Sequence, residues 1–277
     1  MEALQNKPPS RTIIDLDTDR MIGEKEGGIG WITFNNPERR NAVTLAMRIA
    51  LIKILDDFEN DPNIRVMVLK GSGDKAFVSG SDISEFKDKR STPEQAAEYQ
   101  KVSTDLDAAF DNTKKPLIAM IHGMCLGNGL GTALKCDLRI SSDTALYGIP
   151  AGRLGLVYNY PGVKRVVDLV GASRAMEMIF TARRFKAHEA LQINLVNEVV
   201  PFERLEPRVR EIAAMIAENA PISIRAGKLM VKEAMKDAHL RDMELCKSLV
   251  KEGFSSEDFK EGRTAFMEKR RPQFKGR

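Results

Sequence analysis

The chain has 277 residues, 43% apolar and 30% charged, which is enough for a full hydrophobic core and suits one large domain with an appendage. Its apolar runs are all too short to span a membrane, and a net charge of +4 is too mild an excess to mark a nucleic-acid partner. Three widely separated cysteines, Cys125, Cys136 and Cys246, form no CxxC pair, so reduced buried thiols are expected rather than a metal site or a nucleophile.

In chain order, residues 1–20 read as a loosely ordered leader. It has no apolar stretch of signal-peptide length and carries early acids, so a cytoplasmic protein is expected. Residues 29–35 (IGWITFN) predict a strand that Asn36 and Pro37 end. Leu45, Ile49, Ile52, Leu55 and Phe58 then recur at helical spacing behind Thr44, a candidate N-cap. Residues 64–69, 117–121 and 138–142 are short and nearly all apolar, the mark of strands covered on both faces. Residues 89–110 are polar with scattered helical periodicity and are expected to cover one side of a ligand cleft.

After Val199 the pattern turns helical over 202–219, 220–238, 240–253 and 255–269, with Ser255 and Asp258 resembling a capping box. Strands alternating with helices imply an α/β layer arrangement. The expected division is a leader 1–20, an α/β core 21–200 and a helical region 201–277.

The segment 115–133, KPLIAMIHGMCLGNGLGTA, carries the chemistry. A buried strand runs into Gly127, Gly129 and Gly131 where a helix should begin, and each glycine there costs stability. Such a step points backbone N–H groups at an anion or a developing oxyanion, with Asn128 as one donor. A second glycine-marked turn, residues 77–83 (FVSGSDI), offers the N–H of Ser81 as the other. Structural turns are the alternative reading of both.

These pieces resemble the enoyl-CoA hydratase/isomerase, or crotonase, family. The resemblance rests on ITFNNPERRNAV, DKAFVSGSDISEF, KPLIAMIHGMCLGNGLG, KCDLRISS, LGLVYNYPG, FTARRFKAHEAL, INLVNEVVP and AFMEKRRPQF, and spans about residues 25–277. It implies a crotonase-like spiral of ββα units whose helical C-terminal region builds homotrimers or homohexamers. It also implies an acyl-CoA thioester in the cleft, with coenzyme A arriving as part of the substrate and no other cofactor or metal required. The family's oxyanion donors fall on the backbone N–H groups of Ser81 and Asn128, the latter in place of a glycine. Lys75 falls near the nucleotide part of coenzyme A. Lys269 and Arg270 lie in a tail that approaches the CoA phosphates or adenine, in some members from a neighbouring subunit.

The resemblance fails where hydration needs it most. The two glutamates of a hydratase would fall at Gly131 and Ala151, and residues 146–160 contain no carboxylate at all. General acid/base groups contribute about 10²–10⁴-fold, so their double absence contradicts a two-glutamate hydratase. The aspartates of dienoyl-CoA isomerases and dihydroxynaphthoyl-CoA synthases would fall at Asn159 and near Tyr158, and are also missing.

Locally the chain is most similar to methylmalonyl-CoA decarboxylases, which carry a pocket tyrosine at the Tyr158 position, although their pocket glutamate would fall on Gly131. Decarboxylation of a malonyl-type thioester yields an enolate directly and needs no base. Tyr158 and Asn159 are then candidates for orienting the carboxylate or protonating the product, with a pocket wall and a turn as their plainer roles. Arg153 is a candidate carboxylate clamp or a surface ion pair, and His122 a proton-transfer group or a core histidine. An atypical hydratase or isomerase using His122, Tyr158 or a carboxylate from 89–110 is the alternative activity, and a non-catalytic acyl-CoA-binding protein is the alternative class.

Overall fold

The computed structural model describes residues 11–89 and 91–277, so half of the expected leader lies outside the described residues. The other half already contributes β1 (Thr12–Ile13), paired antiparallel with β2 (Met21–Glu26). The chain therefore joins its sheet before residue 21.

From β2 onward one figure repeats. β3 (Ile29–Phe34) leads to α1 (Leu45–Asn60). The first turn of the spiral is β4 (Val66–Gly71), β5 (Ala76–Val78), α2 (Phe86–Lys89) and α3 (Pro93–Asn112). The second is β6 (Leu117–Ile121), β7 (Met124–Leu126) and α4 (Asn128–Ala133). The third is β8 (Leu138–Ser142), β9 (Leu146–Gly148) and α5 (Tyr160–Thr181). β10 (Phe185–Lys186), α6 (Ala187–Gln192) and β11 (Glu198–Val200) close the strand-bearing part. Among the described residues each turn gives its first strand to a large sheet ordered β1-β2-β3-β4-β6-β8-β11 and its second to a small sheet ordered β10-β9-β7-β5. This is the expected spiral of ββα units.

The all-apolar strands β4 and β6 are sandwiched as their composition requires. One face of the large sheet meets the core around Leu51, Phe58, Phe77 and Phe110. The other, with Trp31, Val66 and Ile118, is covered by Leu205, Val209 and Ile212 of α7 (Leu205–Ala217). Each such side chain contributes about 1.5–3 kcal/mol by leaving water. Past Val200 the described residues are helical up to Met267, and α7 completes the core. α8 (Pro221–Ala234), α9 (Met243–Ser255) and α10 (Glu257–Met267) follow.

Two local expectations are corrected. Thr44 does cap α1, accepting from the Met47 N–H at 3.2 Å, but the buried stripe runs through Met47, Leu51, Ile54 and Phe58, leaving Ile49 exposed. Arg48 lies on that stripe. At α10 the cap is Ser256 rather than Ser255, and Asp258 instead accepts from the Lys275 and Gly276 N–H groups, folding the tail onto its own helix.

Candidate active site

The three turns of the spiral end at one place. Beyond the carboxyl ends of β5, β7 and β9 a cavity of about 890 Å³ opens, lined by Ser81 from the first turn, Asn128 and Gly131 from the second, and Ala151, Tyr158 and Asn159 from the third. Parallel strands leave such crevices at their carboxyl ends, where connecting loops diverge.

The loops are held tightly. Asn41 is fully buried and donates to the Ser72 and Ala76 carbonyls at 3.0 and 2.7 Å while accepting from the Asn36 N–H at 2.9 Å. That clasp positions Val43, which forms a parallel bridge with Ser81. In this bridge Val43 N–H donates to the Gly80 carbonyl and Asp82 N–H donates to the Val43 carbonyl, each at 2.9 Å. The N–H of the central residue in a parallel bridge points to the opposite side, so Ser81 N–H faces away from Val43. Gly129 brings the second loop alongside, because a methyl group there would overlap the Val78 carbonyl oxygen. Neither Ser81 N–H nor Asn128 N–H donates to the backbone among the described residues, and the Asn128 side-chain amide has no hydrogen-bond partner there either.

Tyr158 stands over Gly131. Its hydroxyl donates to the Gly127 carbonyl at 3.3 Å. A Cβ at Gly131 would lie 3.1 Å from that hydroxyl oxygen, with no other atom from outside its own helix turn within 4 Å. Burial pushes the phenol up to about 12, so it remains protonated at neutral pH. Asn159 also lines the cavity, but its Oδ1 caps α5 by accepting from the Gly162 N–H at 3.0 Å.

The cavity is rich in cations. Among the described residues Arg39, Arg40, Arg48, Lys135, Arg165 and Arg184 line it, against three carboxylates, Glu38, Asp82 and Asp107. Asp82 is engaged by Arg39 at 3.3 Å and by the Ser84 N–H and hydroxyl at 3.0 and 2.6 Å. Burial opposes its ionisation, yet these hydrogen bonds and the Arg39 charge hold its pKa below the usual range. Asp107, from the polar segment expected to flank the cleft, pairs with Lys135. Burial lowers the Lys135 pKa, with Asp107 pulling the other way.

The remaining sequence candidates are dispersed. Lys75 lines a smaller cavity that shares Glu38 and Arg40 with the large one. Arg270 is held by Glu261 and Glu268, and neither it nor Lys269 lines the large cavity of this single chain. Arg153 is exposed outside it, which fits its surface role rather than that of a carboxylate clamp. His122 is buried against the Phe202 ring, centroids 5.7 Å apart, and lines a separate cavity. Burial lowers its pKa, and the reading of His122 as a proton-transfer group in this site is corrected. Cys125 and Cys136 are buried free thiols, with Cys136 pushed up to about 12 by burial, while Cys246 is only half-buried.

A family model described as enoyl-CoA hydratase/isomerase matches residues 24–277. The short-chain-enoyl-CoA hydratase of Clostridium acetobutylicum is 34% identical, covering 95% of this chain and 100% of that protein. The crotonyl-CoA hydratase of Syntrophomonas wolfei is 33% identical, covering 92% and 98%. The solved structure of an enoyl-CoA hydratase from Bacillus anthracis superposes with a TM-score of 0.85 at 32% identity, covering 96% and 99%. These relatives are named as hydratases, and the likeness to methylmalonyl-CoA decarboxylases rests only on the local sequence around Tyr158 and on the tail SEDFKEGRTAFMEKRRPQF.

Proposed function

The chain belongs to the enoyl-CoA hydratase/isomerase family, and from that premise we propose an acyl-CoA enzyme that works through a thioester enolate and removes CO₂ from a malonyl-type acyl group. One observation carries the reading. Ser81 and Asn128 leave backbone donors at a cavity where Gly131 and Ala151 supply no carboxylate and the protonated Tyr158 hydroxyl lies over Gly131.

In this reading the thioester oxygen accepts from the two N–H groups, each contributing about 2.7–4 kcal/mol as charge develops. The bond between Cα and the carboxylate breaks, its electron pair forms the enolate, and CO₂ leaves. Tyr158 then delivers a proton to Cα and is reprotonated from water. The phenol is protonated at neutral pH, as that role requires. Asn159 holds the α5 entrance that carries Tyr158. At the mouth the exposed Arg39, Arg40 and Arg184, with Lys75 beside them, suit the phosphates of coenzyme A. Lys269 and Arg270 would join them from a neighbouring subunit. Exposed Phe180, Val231, Phe254, Phe266 and Met267 support burial in a homotrimer or homohexamer.

Incubation with malonyl-CoA and methylmalonyl-CoA, followed by mass spectrometry, tests the reaction. Conversion to acetyl-CoA and propionyl-CoA is expected, slowed about 10²-fold in Tyr158→Phe. CO₂ loss no faster than without protein rules decarboxylation out.

A second reading, an atypical hydratase, is favoured by Asp107, a carboxylate of α3 that does line the cavity. Loss of enoyl absorbance from crotonyl-CoA, abolished in Asp107→Asn, would support it. Tight binding of acyl-CoA analogues without turnover of either substrate class would instead mark a non-catalytic binder.

A further inference from the structure

Arg48 is the one cavity cation that is both buried and unmatched among the described residues. It is 6% exposed, although it lines the cavity. Its Nη2 donates to the Ser81 hydroxyl at 2.9 Å, its guanidinium stacks 5.3 Å from the Tyr99 ring centroid, and its buried Nε has no acceptor. The nearby carboxylates are already taken. Asp107 pairs with Lys135, Asp111 with Arg165 at 3.2 Å, and Asp82 with Arg39 at 3.3 Å. Among the described residues no carboxylate stands within ion-pairing reach of Arg48.

A guanidinium withdrawn from water without a counter-ion is costly, and a helix interior does not hold one there by propensity alone. α1 is rigid at this point, being capped one turn earlier by Thr44 and packed through Met47 and Leu51 on either side of Arg48. The charge is therefore fixed at the Ser81 end of the cavity. Lys135 and the part-buried Arg165, which also line the cavity, are each neutralised by their own carboxylate, so Arg48 carries the uncompensated charge. A planar fork of donors beside a pocket matches a carboxylate better than any neutral acyl tail.

We propose that Arg48 is the specificity-determining residue of the acyl pocket and that it takes a second carboxylate, so that the acyl groups recognised are short dicarboxylic ones. This rests on the reading of the cavity as an acyl-CoA site and is independent of which reaction follows. It also moves the carboxylate clamp from Arg153, which lies outside the cavity, to a residue of α1.

Calorimetry with non-reactive analogues, in which an N–H replaces the thioester sulfur, tests it. The malonyl, succinyl and glutaryl analogues are compared with the butyryl analogue and with the methyl esters of the three acids. At least one diacid analogue is expected to bind the natural protein about ten-fold more tightly than both butyryl and its own methyl ester, the return from one charge-assisted pair. Arg48→Met should erase that preference, and Arg48→Lys should restore part of it. The ester comparison uses the natural protein alone and so decides the matter even if a variant fails to fold. Diacids binding no better than butyryl and the esters would overturn the proposal while leaving the acyl-CoA reading intact. Failure of every analogue to bind would overturn both.

Discussion

The contact between Gly131 and Tyr158 can be measured as a coupling energy. Replacing Gly131 by Ala within α4 should by itself stabilise the helix by about 1 kcal/mol, because glycine is that much poorer than alanine in a helix interior. The added Cβ, however, would sit 3.1 Å from the Tyr158 hydroxyl oxygen and meets no other atom from outside its own helix turn within 4 Å. To relieve the contact the Tyr158 hydroxyl must shift by a few tenths of an ångström, at about 0.5–1.5 kcal/mol of side-chain strain, and weaken a hydrogen bond to Gly127 worth about 0.5–1 kcal/mol. Gly131→Ala in the natural background should therefore be neutral to destabilising by about 1.5 kcal/mol. In a Tyr158→Phe background the obstructing oxygen is gone and the full gain of about 1 kcal/mol should appear. Urea unfolding of the four proteins gives a coupling of about 1–2.5 kcal/mol on these terms. Additivity within about 0.3–0.5 kcal/mol would refute the claim that the tyrosine hydroxyl occupies the direction of the missing side chain.

Three further outcomes follow from the same geometry. Gly129→Ala would drive a methyl group into the Val78 carbonyl, so a loss of at least about 3 kcal/mol in chemical denaturation, with loss of acyl-CoA binding, is expected; near-natural stability would contradict the close approach of the two loops. The Tyr158 phenol is raised from an ordinary 10 to about 12, so the folded state holds its proton more tightly than the unfolded chain. Its contribution to stability is present in full below about pH 10 and is lost as pH rises through about 12. An ultraviolet difference titration of the natural protein against Tyr158→Phe should place its phenolate midpoint near 12, and a midpoint near 10 would show the ring to be solvated. Asp107→Asn should leave Lys135, whose side chain is 14% exposed, without its carboxylate and destabilise the fold by about 1–3 kcal/mol; recovery in Asp107→Asn/Lys135→Met, measured by thermal unfolding, checks that the loss comes from the stranded charge.

Local composition alone was enough to read the strands at 117–121 and 138–142, the Thr44 cap and the change to helices after Val200, because each is a periodic or capping signal within a few residues. The glycine step at 127–131 marked the cavity for the same reason: a glycine there has a local cost. β5, β7 and β9 escaped notice since three residues are too few to show a period, and they hold their place only by pairing with one another. The sequence also determined that Gly131 and Ala151 bring no proton-transfer group. Tertiary structure alone decided what stands in that space and who else shares the cavity. Tyr158 reaches Gly131 across 27 residues of chain because separate turns of the spiral end at the same edge. His122 and Arg153 fell outside the site for the converse reason, since neighbours in sequence can face opposite sides of a sheet or loop. A single signal for Arg48 was present, an arginine on the apolar stripe between Met47 and Leu51. Its meaning depended on which carboxylates the fold had already paired elsewhere, and pairing is a property of distance in space.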